Sequence, residues 1–201
     1  MKKLTTIPVA LFICIGAYAQ GTIQYANNPG VPVKTTINGV TANANSTGGD
    51  QVEMFYQIDN GGAAPAAITS MNGALGNWIA TSVTPVLQPP AGPTGVFDAP
   101  SVTLQNVPLG ATVWLEIVGW DNNAASVAAA LSGGSTLFGN SAVWSEGTGG
   151  AGTPPATAPA ITGAGQFTGM TLTAIPNTPE PTTIALGALG AASLLAFRRK
   201  K

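Results

Sequence analysis

The side chains able to do chemistry are few. The chain has eight carboxylates, no histidine and one cysteine, Cys14. Without histidine there is no imidazole base, no histidine-based triad and no histidine metal ligand. A single cysteine excludes an intrachain disulfide, a zinc finger and a paired-thiol redox site. Carboxylate chemistry remains. Glycoside hydrolysis needs two carboxylates across the scissile bond. Asp98, Glu116, Asp121 and Glu146 are candidates, but no two have a diagnostic spacing, so a protein without catalytic residues is expected. Asp121-Asn122-Asn123 offers oxygen ligands for calcium. It lacks the EF-hand pattern and reads better as a turn after a strand. The Gly-rich run at 147–152 has no following Lys-Ser/Thr, so no phosphate loop is implied. No pattern calls for a metal or a cofactor.

The densest chemical pattern lies at 112–121. In an extended strand Val113, Leu115, Ile117 and Gly119 point one way, and Trp114, Glu116, Val118 and Trp120 the other. The first set is an ordinary core face. The second has two readings. Trp114, Glu116 and Trp120 could form a glycan face, with rings stacked on sugars and the carboxylate bonding a hydroxyl. Alternatively, a helix or loop covers them as a second packed face, with Glu116 at its rim. The packed face is favoured, because buried tryptophan mostly serves packing.

The elements that position these residues read as β. Between Gln20 and Thr178 short apolar runs are split by Gly, Pro and Asn. Strands are expected at 22–27, 31–38, 51–59, 78–84, 101–107, 112–121, 141–146 and 166–175. Asn38-Gly39, Asn60-Gly61-Gly62, Asn72-Gly73 and Pro108-Leu109-Gly110 supply turns. Asn123 is placed to cap a short helix over 124–131. Long loops are expected at 38–50, 85–100 and 146–165, the last as a mobile surface loop. The predicted fold is all-β, an antiparallel β-sandwich of jelly-roll or Ig-like type with one short helix.

Charge is unevenly spread. Only 7% of the chain is charged and its formal net charge is −1. Six of seven cations sit at the two ends. Residues 20–181 hold one cation, Lys34, against all eight acids, a net charge of −7. Such a body cannot neutralise a phosphate backbone, so nucleic acid is not an expected partner.

The two ends read as targeting segments. Lys2 and Lys3 precede an apolar run from Leu4 to Gly16, and Ala17-Tyr18-Ala19 fits a small-x-small cleavage pattern. Residues 1–19 are thus a predicted signal peptide, cut by signal peptidase before Gln20 and removing Cys14. Residues 20–175 are the expected sandwich body, and 176–181 a linker. At the other end stand Pro179, Glu180 and Pro181, then sixteen uncharged residues, 182–197, then Arg198, Arg199, Lys200 and Lys201. As a helix the uncharged run is about 24 Å long, short of the ~30 Å hydrocarbon core. Flanking cations can snorkel to complete the span and hold the end in the cytoplasm. Residues 182–201 are the predicted transmembrane sorting helix and basic tail. Before cleavage, both ends lie inside and the body outside.

This three-part tail resembles the PEP-CTERM sorting signal of Gram-negative bacteria. The resemblance implies recognition by an exosortase, a membrane-embedded sorting enzyme, which cuts near Pro179-Glu180-Pro181. The body then passes to the outer envelope or extracellular matrix. The body also looks like secreted PEP-CTERM proteins of Verrucomicrobia type, on residues 21–28, Trp120-Asp121, Phe138-Gly139-Asn140-Ser141 and the Gly-rich stretch with Pro154-Pro155. That likeness implies an exported β-rich body and no particular activity. The expected product is a non-enzymatic cell-surface or biofilm-matrix protein. The alternative is a carbohydrate-binding module attached to exopolysaccharide.

Overall fold

The computed structural model describes residues 20–44, 49–69, 75–81, 83, 87, 94–121, 123–150, 156–175 and 189. The predicted signal peptide and linker lie outside the described residues, as does the sorting helix apart from residue 189. Among the described residues no helix is long and apolar enough to cross a membrane.

The strands are β1 (Gln20–Ala26), β2 (Val33–Ile37), β3 (Val40–Asn43), β4 (Gln51–Ile58), β5 (Ile79–Ala80), β6 (Asp98–Pro108), β7 (Thr112–Trp120), β8 (Leu137–Asn140), β9 (Trp144–Gly147) and β10 (Met170–Ala174). One short helix, α1 (Val127–Ala129), runs into a π-helical turn at Ala130–Gly134. The β-rich reading holds. β1 and β6 form a two-stranded ribbon, and the rest form one sheet in the order β3-β2-β10-β8-β7-β4-β5, with β9 also on β7.

Ile23 and Tyr25 of β1 and Val102 and Leu104 of β6 pack on the sheet. They meet Val52, Met54 and Tyr56 of β4, and Val113, Leu115 and Ile117 of β7. Period-2 alternation puts these on one face. On the opposite face Phe55, Val118, Trp120 and Phe138 lie under Ile68, Trp78, Ala124, Val127 and Ala130. The middle of the sheet is therefore buried on both sides, and each fully buried large apolar side chain there contributes ~1.5–3 kcal/mol.

Several expectations need correction. The sheet is not wholly antiparallel: β10 pairs parallel with β2, Met170 opposite Val33 through Thr173 opposite Thr36. A parallel neighbour needs a long crossover, and here most of the body separates the two strands. The loop expected at 38–50 begins with a strand. Asn38 and Gly39 take φ of 51° and 79°, the type I′ geometry that closes a two-residue hairpin, and β3 pairs back on β2. All four β3 residues are exposed, so no apolar alternation marked it. The strand expected at 141–146 is confined to β9, and β8 precedes it where no strand was expected. Between them Ser141 replaces a ladder position: its N–H donates to Ile117 O at 2.8 Å, and Ile117 N–H donates to Ser141 Oγ at 2.9 Å. Ser126, not Asn123, caps the helix, accepting from Ala129 N–H at 3.2 Å. The described parts of 146–165 are tied to β1, with Gly149 N–H on Thr22 O at 2.8 Å and Gln24 N–H on Pro159 O at 2.9 Å.

Candidate functional site

Two buried carboxylates organise β7: Glu116 in the middle of the strand, and Asp121 at the end from which the tail departs. Glu116 lies in mid-β7 on the face away from the β1–β6 ribbon and is 0% exposed. Its carboxylate accepts from Ile68 N–H, at 2.9 Å to Oε2 and 3.1 Å to Oε1. Asn140 Nδ2, at the end of β8, donates to Oε1 at 2.9 Å. Burial pushes this carboxyl up to about 7, against the opposing pull of the Ile68 and Asn140 hydrogen bonds. Ile68 belongs to the segment between β4 and β5, folded on itself by a bond from Trp78 Nε1 to Ala66 O at 2.9 Å. Glu116 therefore pins that segment onto the sheet. A cavity of about 230 Å³ is lined by Gln57, Ala66, Ile68, Leu75 and Trp78.

These facts decide between the two readings of the Trp-Glu-Trp strand. Trp120 is 0% exposed, and its Nε1 donates to Ala124 O at 2.9 Å. Trp114 is half-buried. The alternative reading, a glycan face of Trp114, Glu116 and Trp120, finds two of its three members with no exposed surface for a sugar. The cover is helix and loop, as the packing reading has it, but Glu116 sits at the centre of the face and not at its rim. Glu116 and Asp121 are also five residues apart along one strand direction, about 17 Å. That is wider than the ~5–9.5 Å across which paired glycosidase carboxylates work.

Asp121 follows directly on β7 and turns the chain. Asn123 N–H and Nδ2 donate to its two oxygens at 3.2 and 3.1 Å. This is the turn expected at Asp121-Asn122-Asn123. Ser135 Oγ donates to Oδ1 at 2.8 Å, and Thr136 N–H and Leu137 N–H donate to Oδ2 at 2.9 and 3.0 Å. The Thr136 hydroxyl makes a further, short bond to Oδ2. Burial pushes the Asp121 carboxyl up, but the bonds from Thr136, Ser135 and Asn123 outweigh it and hold the group below its usual 3.8. Among the described residues no three of His, Cys, Asp and Glu cluster as metal ligands. Sequence reading missed this knot because Ser135 and Thr136 lie 14 and 15 positions from Asp121. The available signal was Gly133-Gly134-Ser135-Thr136, a turn with two hydroxyls beside it.

The knot carries the root of the tail. β8 begins at Leu137 and pairs with β10, Leu137 opposite Ala174. Ile175 N–H then donates to Thr136 O at 3.0 Å. The residue Asp121 holds most tightly is thus the one on which the last body residue docks. Beyond it, Pro179, Glu180, Pro181, Arg198, Arg199, Lys200 and Lys201 lie outside the described residues, as do Ala17 and Ala19 at the other end.

Comparison with curated proteins and with solved structures gave no match to the chain. Comparison with family profiles gave one: residues 177–200, starting two positions after Ile175, match the PEP-CTERM protein-sorting motif.

Proposed function

We propose that this chain is an exosortase substrate. Its β-rich body is the cargo, and its tail is the address. The observation that carries this reading is the PEP-CTERM match at 177–200, which begins three positions after β10 ends at Ala174.

The chemistry follows from the sequence of the tail. Pro176, Pro179 and Pro181 fall within six residues. Proline lacks an N–H and drives its predecessor toward extended backbone. A linker of this composition favours the open form that a processing enzyme can engage, and it resists absorption into the following helix. The uncharged stretch 182–197 enters the bilayer, and Arg198 to Lys201 oppose its passage. Processing near the Pro-Glu-Pro motif separates body from anchor and delivers the body to the outer envelope or extracellular matrix. On this reading the body has no catalytic residues and its contribution is structural. Any exopolysaccharide contact would use a surface other than the buried Glu116 and Trp120.

Intact mass of the protein recovered outside the cell tests the reading. The expected species starts at Gln20 and lacks the residues after the Pro-Glu-Pro region. A recovered species with both ends untrimmed overturns it.

A further inference from the structure

The two most exposed large apolar side chains of the described body are Ile37, 54% exposed, and Val40, 70% exposed. They flank the Asn38-Gly39 turn and face each other across the hairpin. Directly opposed residues share one side of a β-ribbon, so the two form a single apolar tip. No charged residue occurs from 35 to 49, so the tip is also neutral on a body, residues 20–175, of net charge −6.

The parallel pairing determines where this tip points. β2 and β10 run the same way with Thr36 opposite Thr173, so Ile37 stands level with Ala174. Adjacent strands are about 4.8 Å apart, which places β2 about 5 Å and β3 about 10 Å sideways from the root of the tail. An antiparallel β10 would have put the tip at the far end of the body.

The tail limits how far the body can go. From Ile175 to Thr182, where the uncharged stretch begins, there are seven residues, at most about 25 Å fully extended. A short tether of this kind holds the body at an effective concentration in the millimolar range relative to the surface. Weak contacts are populated under that condition. The anionic body gains nothing from electrostatic attraction to the membrane, so an uncharged contact is the one available to it.

We propose that the Ile37–Val40 hairpin tip rests in the lipid interface while the chain is anchored by its tail, orienting the body and the linker before processing. The proposal depends on the sorting reading above, since without a membrane anchor there is no tether.

The test uses the anchored intermediate, taken from membranes of cells lacking the sorting enzyme and reconstituted in phosphatidylcholine vesicles. An environment-sensitive fluorophore is attached at Val40→Cys in a Cys14→Ala background. The control position is Asn60→Cys, exposed beyond the other end of β4. The expected result is a blue-shifted emission at 40 with at least threefold stronger quenching by a lipid-borne nitroxide than at 60. Ile37→Asp should abolish the difference while leaving the circular dichroism unchanged. Water-like emission at 40 in chain that floats with the vesicles overturns the tip contact and leaves the sorting reading standing. A blue shift that arises only when the sorting enzyme is added overturns the lipid contact in favour of a protein one. Chain that fails to float removes the anchor, and both readings fall.

Discussion

Replacing Glu116 by Gln should flatten a specific part of the pH dependence of stability. The Glu116 carboxyl titrates near 4.5 when exposed and at about 7 in the folded body, mainly because burial disfavours its charge. Between those values the folded state binds a proton that the unfolded state has released. Stability from this group is complete below about pH 4.5 and is lost as pH rises through 7. At about 1.4 kcal/mol per tenfold in proton affinity, the interval corresponds to about 3 kcal/mol. Gln keeps the shape and an acceptor for Ile68 and Asn140, but carries no charge. The wild-type minus Glu116→Gln difference in unfolding free energy should therefore change by about 3 kcal/mol between pH 4.5 and pH 8, in favour of Gln at the higher pH. Glu53, also raised by burial, is present in both proteins and cancels. Urea unfolding of the processed body, followed by tryptophan fluorescence at several pH values, measures it. Trp114 and Trp120 lie on the same strand face as the carboxylate and report its surroundings. A difference constant within about 0.5 kcal/mol across that range would refute the claim that Glu116 is buried with its proton.

Two further outcomes are expected. Asp121→Asn should cost about 2 kcal/mol at pH 7, because it weakens charge-assisted bonds to Ser135, Thr136 and Leu137. The cost should shrink below pH 3.8 as the wild-type carboxyl protonates, since a depressed carboxyl stabilises above its unfolded value and loses that effect in acid; acid-unfolding curves of the two proteins check this. Replacing Arg198 to Lys201 with neutral residues should let the tail slip through the membrane and mis-sort the body, which cell fractionation reads directly; unchanged membrane retention contradicts the basic-stop role.

Much of what matters was written locally in the sequence. The alternation from Val113 to Trp120 gave both faces of β7 correctly, because side chains on a strand alternate whatever lies around it. Asn38-Gly39 marked a turn for the equally local reason that both positions need positive φ. The strands that escaped are those without a local signature. β3 is wholly exposed, so it has no apolar period to read. β8 is four residues long, and one of them, Gly139, is there because a Cβ would strike the backbone O of Thr171 on β10. The Asp121 knot and the Glu116 pin escaped for another reason. Their donors, Thr136 and Ile68, lie 15 and 48 positions away, and no spacing rule reaches that far. The parallel pair β2–β10 is the extreme case, set only when the chain has run most of its length. The sorting motif was the most legible feature, because it is read as a linear address and depends on no fold.

The position of β10 bears on when the cargo matures. The last body strand in chain order lies between β2 and β8, well inside the sheet. Until residues 170–174 arrive, the β3-β2 hairpin has no partner on its inner side, and the sheet exists as two fragments with raw edges. For a chain threaded outward amino end first, these residues emerge just ahead of the segment that halts the thread. On the sorting reading proposed above, arrest in the bilayer and closure of the sheet would be nearly simultaneous, and the sorting enzyme would meet a finished particle on a short leash.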